Sequence, residues 1–162
     1  MTTVEPAGLF EAAELVRTGQ LSAVDLTEAC LARIGEANED LRAFITVTAD
    51  LARADAARAH KEIAAGRYRG ALHGVPVSVK DLVDVAGTPT TSASRVPARR
   101  PLHDAPVVGM LRRAGAVIVG KTNLHEFAFG TTGDDTSAAF SLIRSVTSAP
   151  VAEAISPSVM SF

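Results

Sequence analysis

Between residues 8 and 18, Leu9, Phe10, Ala13, Leu15 and Val16 recur at roughly helical spacing, and Gly19 stands where such a helix would stop. Ser22 opens a second helical pattern. With Asp25 it forms a capping-box-like pair, in which a hydroxyl meets a free backbone N–H and a carboxylate reaches back. The stripe Leu26, Cys30, Leu31 and Ile34 follows, and the stretch 35–40 is expected to end it. Residues 43–47 are short and β-branched, hence a strand. A third helix runs from its cap at Thr48 to Ala65, with Leu51, Ala54, Ala57 and Ile63 as its buried side and a charged, solvated outer face.

The period changes after Gly66. Residues 75–79 alternate between Gly74 and Asp81 and predict a strand. Residues 87–100 are rich in Thr, Ser, Pro and Arg and read as an ordered loop. Asp104 is placed to cap a helix over residues 105–114, with Pro106 in its first turn, where a missing N–H costs nothing, and Val107, Val108, Leu111 and Ala114 as its buried stripe. Gly115 ends that helix, and residues 116–119 are a buried strand. Strand, helix and apolar strand predict a βαβ unit whose two strands are parallel in one sheet. From residue 136 to 162 the pattern lapses: seven serines, two charges (Arg144 and Glu153) and no glycine leave no amphipathic period. This serine-rich stretch is expected to be disordered and to be cut first by protease.

Composition narrows the classes. A chain of 162 residues with 47% hydrophobic residues can bury one core. A net charge of −2 without like-charge blocks argues against direct nucleic-acid binding or an anionic membrane surface. The first ten residues lack the basic and apolar regions of a secretory leader, and no apolar run approaches membrane-spanning length, so a soluble cytoplasmic protein is expected. Cys30 is the only cysteine and reads as a buried structural thiol. With four histidines and no metal-ligand spacing, neither a metal nor a cofactor is expected.

Gly115, Gly120, Lys121 and Thr122 satisfy the phosphate-loop pattern G-x-x-x-x-G-K-[ST], but the context is wrong. Such a loop follows a strand and opens a helix, so that bare N–H groups wrap a phosphate. Here a helix precedes Gly115 and strand formers fill the interval. Gly120 is read as a turn after the strand, and nucleotide binding is set aside.

Two other segments carry chemistry together. One is Leu72-His73-Gly74-Val75-Pro76-Val77-Ser78-Val79-Lys80-Asp81. The other is Ala114-Gly115-Ala116-Val117-Ile118-Val119-Gly120-Lys121-Thr122-Asn123, followed by Glu126-Phe127-Ala128. With Gly87-Thr88-Pro89-Thr90-Thr91, Leu21-Ser22-Ala23 and Ala43-Phe44, they make residues 9–135 resemble the amidase signature family; Ala71 stands where many relatives have proline. The resemblance implies a partial α/β amidase-signature fold, N-terminal helices followed by a βαβ unit of a mixed, largely parallel sheet. It divides the chain into residues 1–135 and the divergent stretch 136–162. It also implies acyl transfer from small carboxamides by a lysine and two serines: the lysine deprotonates a serine held by a cis peptide bond, which relays the proton for a nucleophilic serine. By its place in V-x-V-K-D, the matching lysine is Lys80.

A lysine is a base only when neutral, so its reference pKa of about 10.4 must fall, and burial lowers it. Lys80 at the end of a buried strand suits that role; a lysine snorkelling to water is the plainer alternative. Asp81 is expected to hold the local turn, with pairing to a cation as the alternative. His73 and His125, the other candidate bases, have no serine or acid at recognisable spacing and read as structural or surface groups. The family's Gly/Ser-rich serine segment is not found in these residues, which contain no two adjacent glycines. Ser137, Ser141, Ser145 and Ser148 lie near its expected place without the glycines that let N–H groups approach an oxyanion. The reading is therefore a truncated amidase-family hydrolase without its own activity. The alternatives are the A subunit of an aminoacyl-tRNA amidotransferase and a non-catalytic remnant or interaction module; the oligomeric state is left open.

Overall fold

A computed structural model describes Pro6 and residues 8–130. The proposed boundary at residue 135 and the serine-rich stretch beyond it lie outside the described residues.

The order is α1 (Leu9–Arg17), α2 (Ala23–Leu41), β1 (Phe44–Val47), α3 (Ala49–Ala64), β2 (Pro76–Lys80), α4 (Pro106–Arg113), β3 (Val117–Thr122) and a 3-10 turn (Glu126–Ala128). The strands form one mixed sheet in the order β1-β3-β2. β2 and β3 are parallel and are joined across α4, as the strand–helix–strand pattern predicts, while β1 is antiparallel to β3. β3 is central because it carries the longest unbroken buried run, Gly115 to Lys121.

Each face of the sheet has its own core. Leu31 of α2, and Ala52 and Ala56 of α3, pack on Val117 and Val119. On the other face, Val108 of α4 packs on Val79, Val85 and Ile118. A third cluster, Val16, Ala23 and Ala59, ties α1 to α2 and α3. Among the described residues, no helix is long and apolar enough to cross a membrane.

Several local expectations fail for identifiable reasons. α3 buries Ala52, Asp55, Ala56 and Ala59, one position away from the expected face, and leaves Leu51 49% exposed. Alanine on both sides hides the stripe, and charge placement decides it: Asp55 meets Arg112 at 2.9 Å, while Arg53 reaches Glu28 of α2 from the outer side at 2.7 Å. α1 buries Ala12, Ala13 and Val16 while Phe10 lies exposed. In α4, Val108 is buried and Val107 is exposed.

α2 runs through Gly35 to Leu41 and ends where Arg42 adopts φ 49°. Asn38 then grips the next strand, accepting from Phe44 N at 2.7 Å and donating to Phe44 O at 3.1 Å. A single glycine weakens a helix interior by about 1 kcal/mol and does not by itself stop it. Ser22 does cap α2, accepting from Val24 N at 3.1 Å. Thr48 and Asp104 do not cap. Thr48 Oγ1 donates to Ile118 O at 3.0 Å, and Asp104 accepts from Ala86 N at 2.8 Å and pairs with Arg112 at 2.9 Å. Both spend their side chains on joining distant segments.

Candidate active site

The C-terminal ends of β2 and β3 lie side by side, with Val79 opposite Lys121 and Lys80 opposite Thr122. Between Val77 and Ser78 the register slips: two residues of β3 oppose one of β2, so Val119 is the extra residue of a bulge. Ile118 and Lys121, three apart, consequently face the same side as Val77 and Val79. The bulge thus places Lys121 on the face shared with Val77 and Val79, where it is 0% exposed.

Lys121 Nζ lies 2.9 Å from Asp81 Oδ1, 2.9 Å from Thr90 Oγ1 and 3.1 Å from Pro89 O. Two of these, Thr90 Oγ1 and Pro89 O, accept hydrogen bonds from the amine, and the carboxylate balances its charge. The contact to Oδ1 is an ion pair without directed hydrogen-bond geometry. Asp81, also 0% exposed, accepts at Oδ2 from Thr91 N at 2.9 Å and Thr91 Oγ1 at 2.5 Å. Asp81 therefore pairs with a cation as well as fixing the turn. The sequence offered cation pairing only as the alternative for Asp81 and did not single out Lys121 as the partner. The available signal was a lysine closing an apolar run, beside a strand followed directly by an acid.

Lys80 has the opposite setting. It ends β2, an edge strand, and is exposed rather than buried. Among the described residues its amine has no hydrogen-bond or ion partner. Its own carbonyl accepts from Val83 N at 2.9 Å, which closes the turn after the strand.

Residues 87–100, expected as an ordered loop, are held down by both charged networks. Thr90 and Arg99 bridge each other, and Asp84 takes Thr90 Oγ1 at 2.9 Å and an ion pair from Arg99. Burial acts to raise the Asp84 pKa, but the bonds from Arg99 and Thr90 and the charges of Arg99 and Lys121 reverse this and hold it low. Ser92 and Ala93 have φ of 55° and 53°, and Ser92 O accepts from Phe127 N at 2.9 Å, joining the loop to the 3-10 turn.

The remaining candidates do not converge on Lys80. His73 is buried, bonded to Glu62 at 3.1 Å and to Arg69 N at 3.1 Å. Burial and the charge of Arg69 push its pKa down, and Glu62 only partly opposes them. His125 Nδ1 faces Glu126 O at 3.3 Å. His60 lies 3.5 Å from Ser22 Oγ, a hydroxyl already used as a helix cap. Cys30 is half-buried against the α2–α3 core, and burial pushes its thiol up, away from the nucleophilic form. Among the described residues no group of three or more His, Cys, Asp or Glu could hold a metal ion.

The phosphate-loop pattern is explained by packing. Gly115 closes α4 at φ 84°, and Gly120 lies within β3 rather than in a turn. A Cβ at Gly120 would stand 2.5 Å from Thr46 O, so glycine is needed for β1 to approach.

A family model described as Amidase matches residues 25–156. The chain belongs to the amidase signature family. The match runs on beyond residue 135, into the serine-rich stretch. Among curated amidase-family relatives, the chain is 41% identical over 138 residues to the A subunit of a glutamyl-tRNA(Gln) amidotransferase from Chloroflexus aurantiacus, covering 85% of this chain and 28% of that protein. It is 42% identical over 130 residues to an amidase of Pseudomonas putida, covering 80% and 28%. Among solved amidase structures, the native peptide amidase from Stenotrophomonas maltophilia superposes with a TM-score of 0.70 at 36% identity, covering 74% of this chain and 25% of that one. The chain thus spans little more than a quarter of the length of these amidase relatives.

Proposed function

We propose that residues 1–135 are the base-bearing N-terminal portion of an amidase-type acyl-transfer domain, with Lys80 as its general base. The observation that carries this reading is the placement of Lys80. It ends an edge strand of a sheet that superposes on amidases, and among the described residues its amine is unengaged while the neighbouring Lys121 is held by Asp81, Thr90 and Pro89. A lysine serves as base when it is desolvated beside the hydroxyl it activates. That desolvation comes from whatever covers the β2 edge and brings the serines. The substrate class is a small linear carboxamide, whose amine or ammonia leaves from an acyl-enzyme.

The 162-residue chain alone is proposed to turn over no simple amide. No Gly-Gly pair supplies close-approaching N–H donors for an oxyanion, and a base without its serine relay has nothing to deprotonate. Ammonia release from acetamide or benzamide should stay at the blank level. Release by the wild type that Lys80→Ala abolishes would overturn this and place a working serine within the chain. The role of Lys80 is tested separately by exchanging the matching segment of the peptide amidase for residues 1–130. The chimera should hydrolyse amides, and Lys80→Ala should lower that rate by about three or more orders of magnitude.

A second reading, the A subunit of an aminoacyl-tRNA amidotransferase, is favoured by the equally high identity to such a protein. Glutamine-dependent ammonia release by a chimera built on that relative, and not by one built on the peptide amidase, would select it.

A further inference from the structure

We propose that Lys121, acting through Asp81, is the positioning residue for Lys80: the buried Lys121–Asp81 pair is a clamp that fixes the backbone from which the base projects. This rests on the reading of Lys80 as the base and adds a part to it.

A lysine side chain has four rotatable bonds, so its amine can be aimed only if its backbone is fixed. Residue 81, directly after Lys80, is held at every polar group. Its N–H donates to Thr122 O at 3.0 Å and its carbonyl accepts from Ser92 N at 3.2 Å. Its carboxylate takes Lys121 on one oxygen and Thr91, through both N–H and hydroxyl, on the other. Three separate segments therefore meet on one residue: the end of β3, the loop 87–100 and the turn closed by Val83 N on Lys80 O.

The bulge at Val119 gives the arrangement its purpose. Without the extra residue, the β3 side chain beside Val79 would be Gly120 rather than Lys121. Bulges recur next to active sites because they re-aim one side chain at the cost of regular pairing. A pair that served stability alone would be poorly chosen, since apolar residues of similar volume do as well or better in a buried position. Here the charge also reaches Pro89 O and Thr90 Oγ1, so the loop is registered to the strand end before any serine arrives.

Residue-resolved amide hydrogen exchange on the full chain tests the clamp. In Lys121→Met, the amides of Asp81, Val83 and Ser92 should exchange about tenfold or more faster relative to those of Val117 and Ala52, because the opening is local. An equal acceleration of all five amides would overturn the proposal, since a merely structural pair lowers global stability without loosening residue 81 in the native state. Thr90→Val removes one of the three Lys121 partners and keeps the test open should the methionine variant fail to fold. The same three amides should lead, by a smaller factor, and unchanged ratios in this variant would equally count against the clamp. Because exchange needs no turnover, its failure leaves the amidase reading intact, and a failed amide assay on the chimera leaves the clamp intact.

Discussion

Lys80 and Lys121 end neighbouring parallel strands, one residue out of step, and the fold treats them oppositely. Lys121 is sealed in, with a carboxylate, a hydroxyl and a carbonyl around its amine. Lys80 ends an edge strand with its amine unengaged among the described residues. Residue type does not distinguish them; strand position and a single bulge do. A lysine held by such partners can hold a framework together but is not free for proton transfer. An unengaged one adds little to stability and is available for chemistry once something covers it. One residue type thus takes two opposite settings at neighbouring strand ends, separated by which face of the sheet each side chain reaches.

The largest expected effect tests the buried half. Lys121→Met leaves the buried Asp81 carboxyl without its cation, and breaking a buried pair from one side typically costs about 3–5 kcal/mol, so a loss of that size is expected in urea unfolding. The double variant Lys121→Met/Asp81→Asn should recover part of it, because the stranded carboxyl is gone. A Lys121→Met chain as stable as the wild type would mean that the pair contributes nothing and that the two lysines are not energetically distinct.

This contrast was only half legible in the sequence. The β2–α4–β3 unit was readable because period 2, then 3.6, then an apolar run leave one parallel arrangement. Lys80 was identifiable from its motif, but its exposure was not, since exposure depends on what lies beside an edge strand. Lys121 was hidden for a physical reason. Lysine near a strand end ordinarily reaches water, and the extra residue at Val119 places this one on the Val79 side, beside Asp81 and the loop 87–100. Bulges depend on pairing register, which a single strand does not reveal. The face of α3 was misread for a related reason: in an alanine-rich helix the hydrophobic contrast is too weak to locate the stripe, and the partners Arg112 and Glu28 belong to other helices.

Gly120 sharpens the comparison from the side of β1. Its absent side chain lets Thr46 O and Phe44 come close enough for β3 to sit in the centre, directly before Lys121. Gly120→Ala forces backbone apart, since the nearest atom is a main-chain oxygen at 2.5 Å, and overpacking of this kind costs about 1–3 kcal/mol. Thermal unfolding should register the loss with no dependence on added nucleotide. A nucleotide-dependent rescue would revive the phosphate-loop reading of Gly115 to Thr122.

His73 provides a pH-dependent contrast away from both lysines. Its pKa is lowered in the folded chain, chiefly by burial and then by Arg69. The unfolded chain therefore takes up this proton first as pH falls. Its contribution is complete above the unfolded value of about 6.5 and declines from there toward the lower folded value. Glu62 also titrates low, because Arg69 and His73 outweigh the effect of burial, but its contribution is lost only in the more acidic carboxylate range. Stability should thus fall as pH drops below about 6.5, and His73→Gln should flatten that slope. An unchanged slope would remove His73 as its source.

The smallest effect is the most discriminating for Lys80. An exposed side chain with no partner among the described residues gives up little when replaced, so Lys80→Met should change unfolding free energy by no more than about 0.5 kcal/mol. Relief of a buried, unpaired charge, which would make the variant more stable, is not expected, because Lys80 is not buried here. The measurement is paired urea unfolding of Lys80→Met and Lys121→Met at neutral pH, where both wild-type side chains are compared against the same apolar replacement. A loss at Lys80 approaching that at Lys121 would show that the edge lysine is engaged in the folded chain. Its availability as a base would then have to be argued from a different arrangement of the β2 edge.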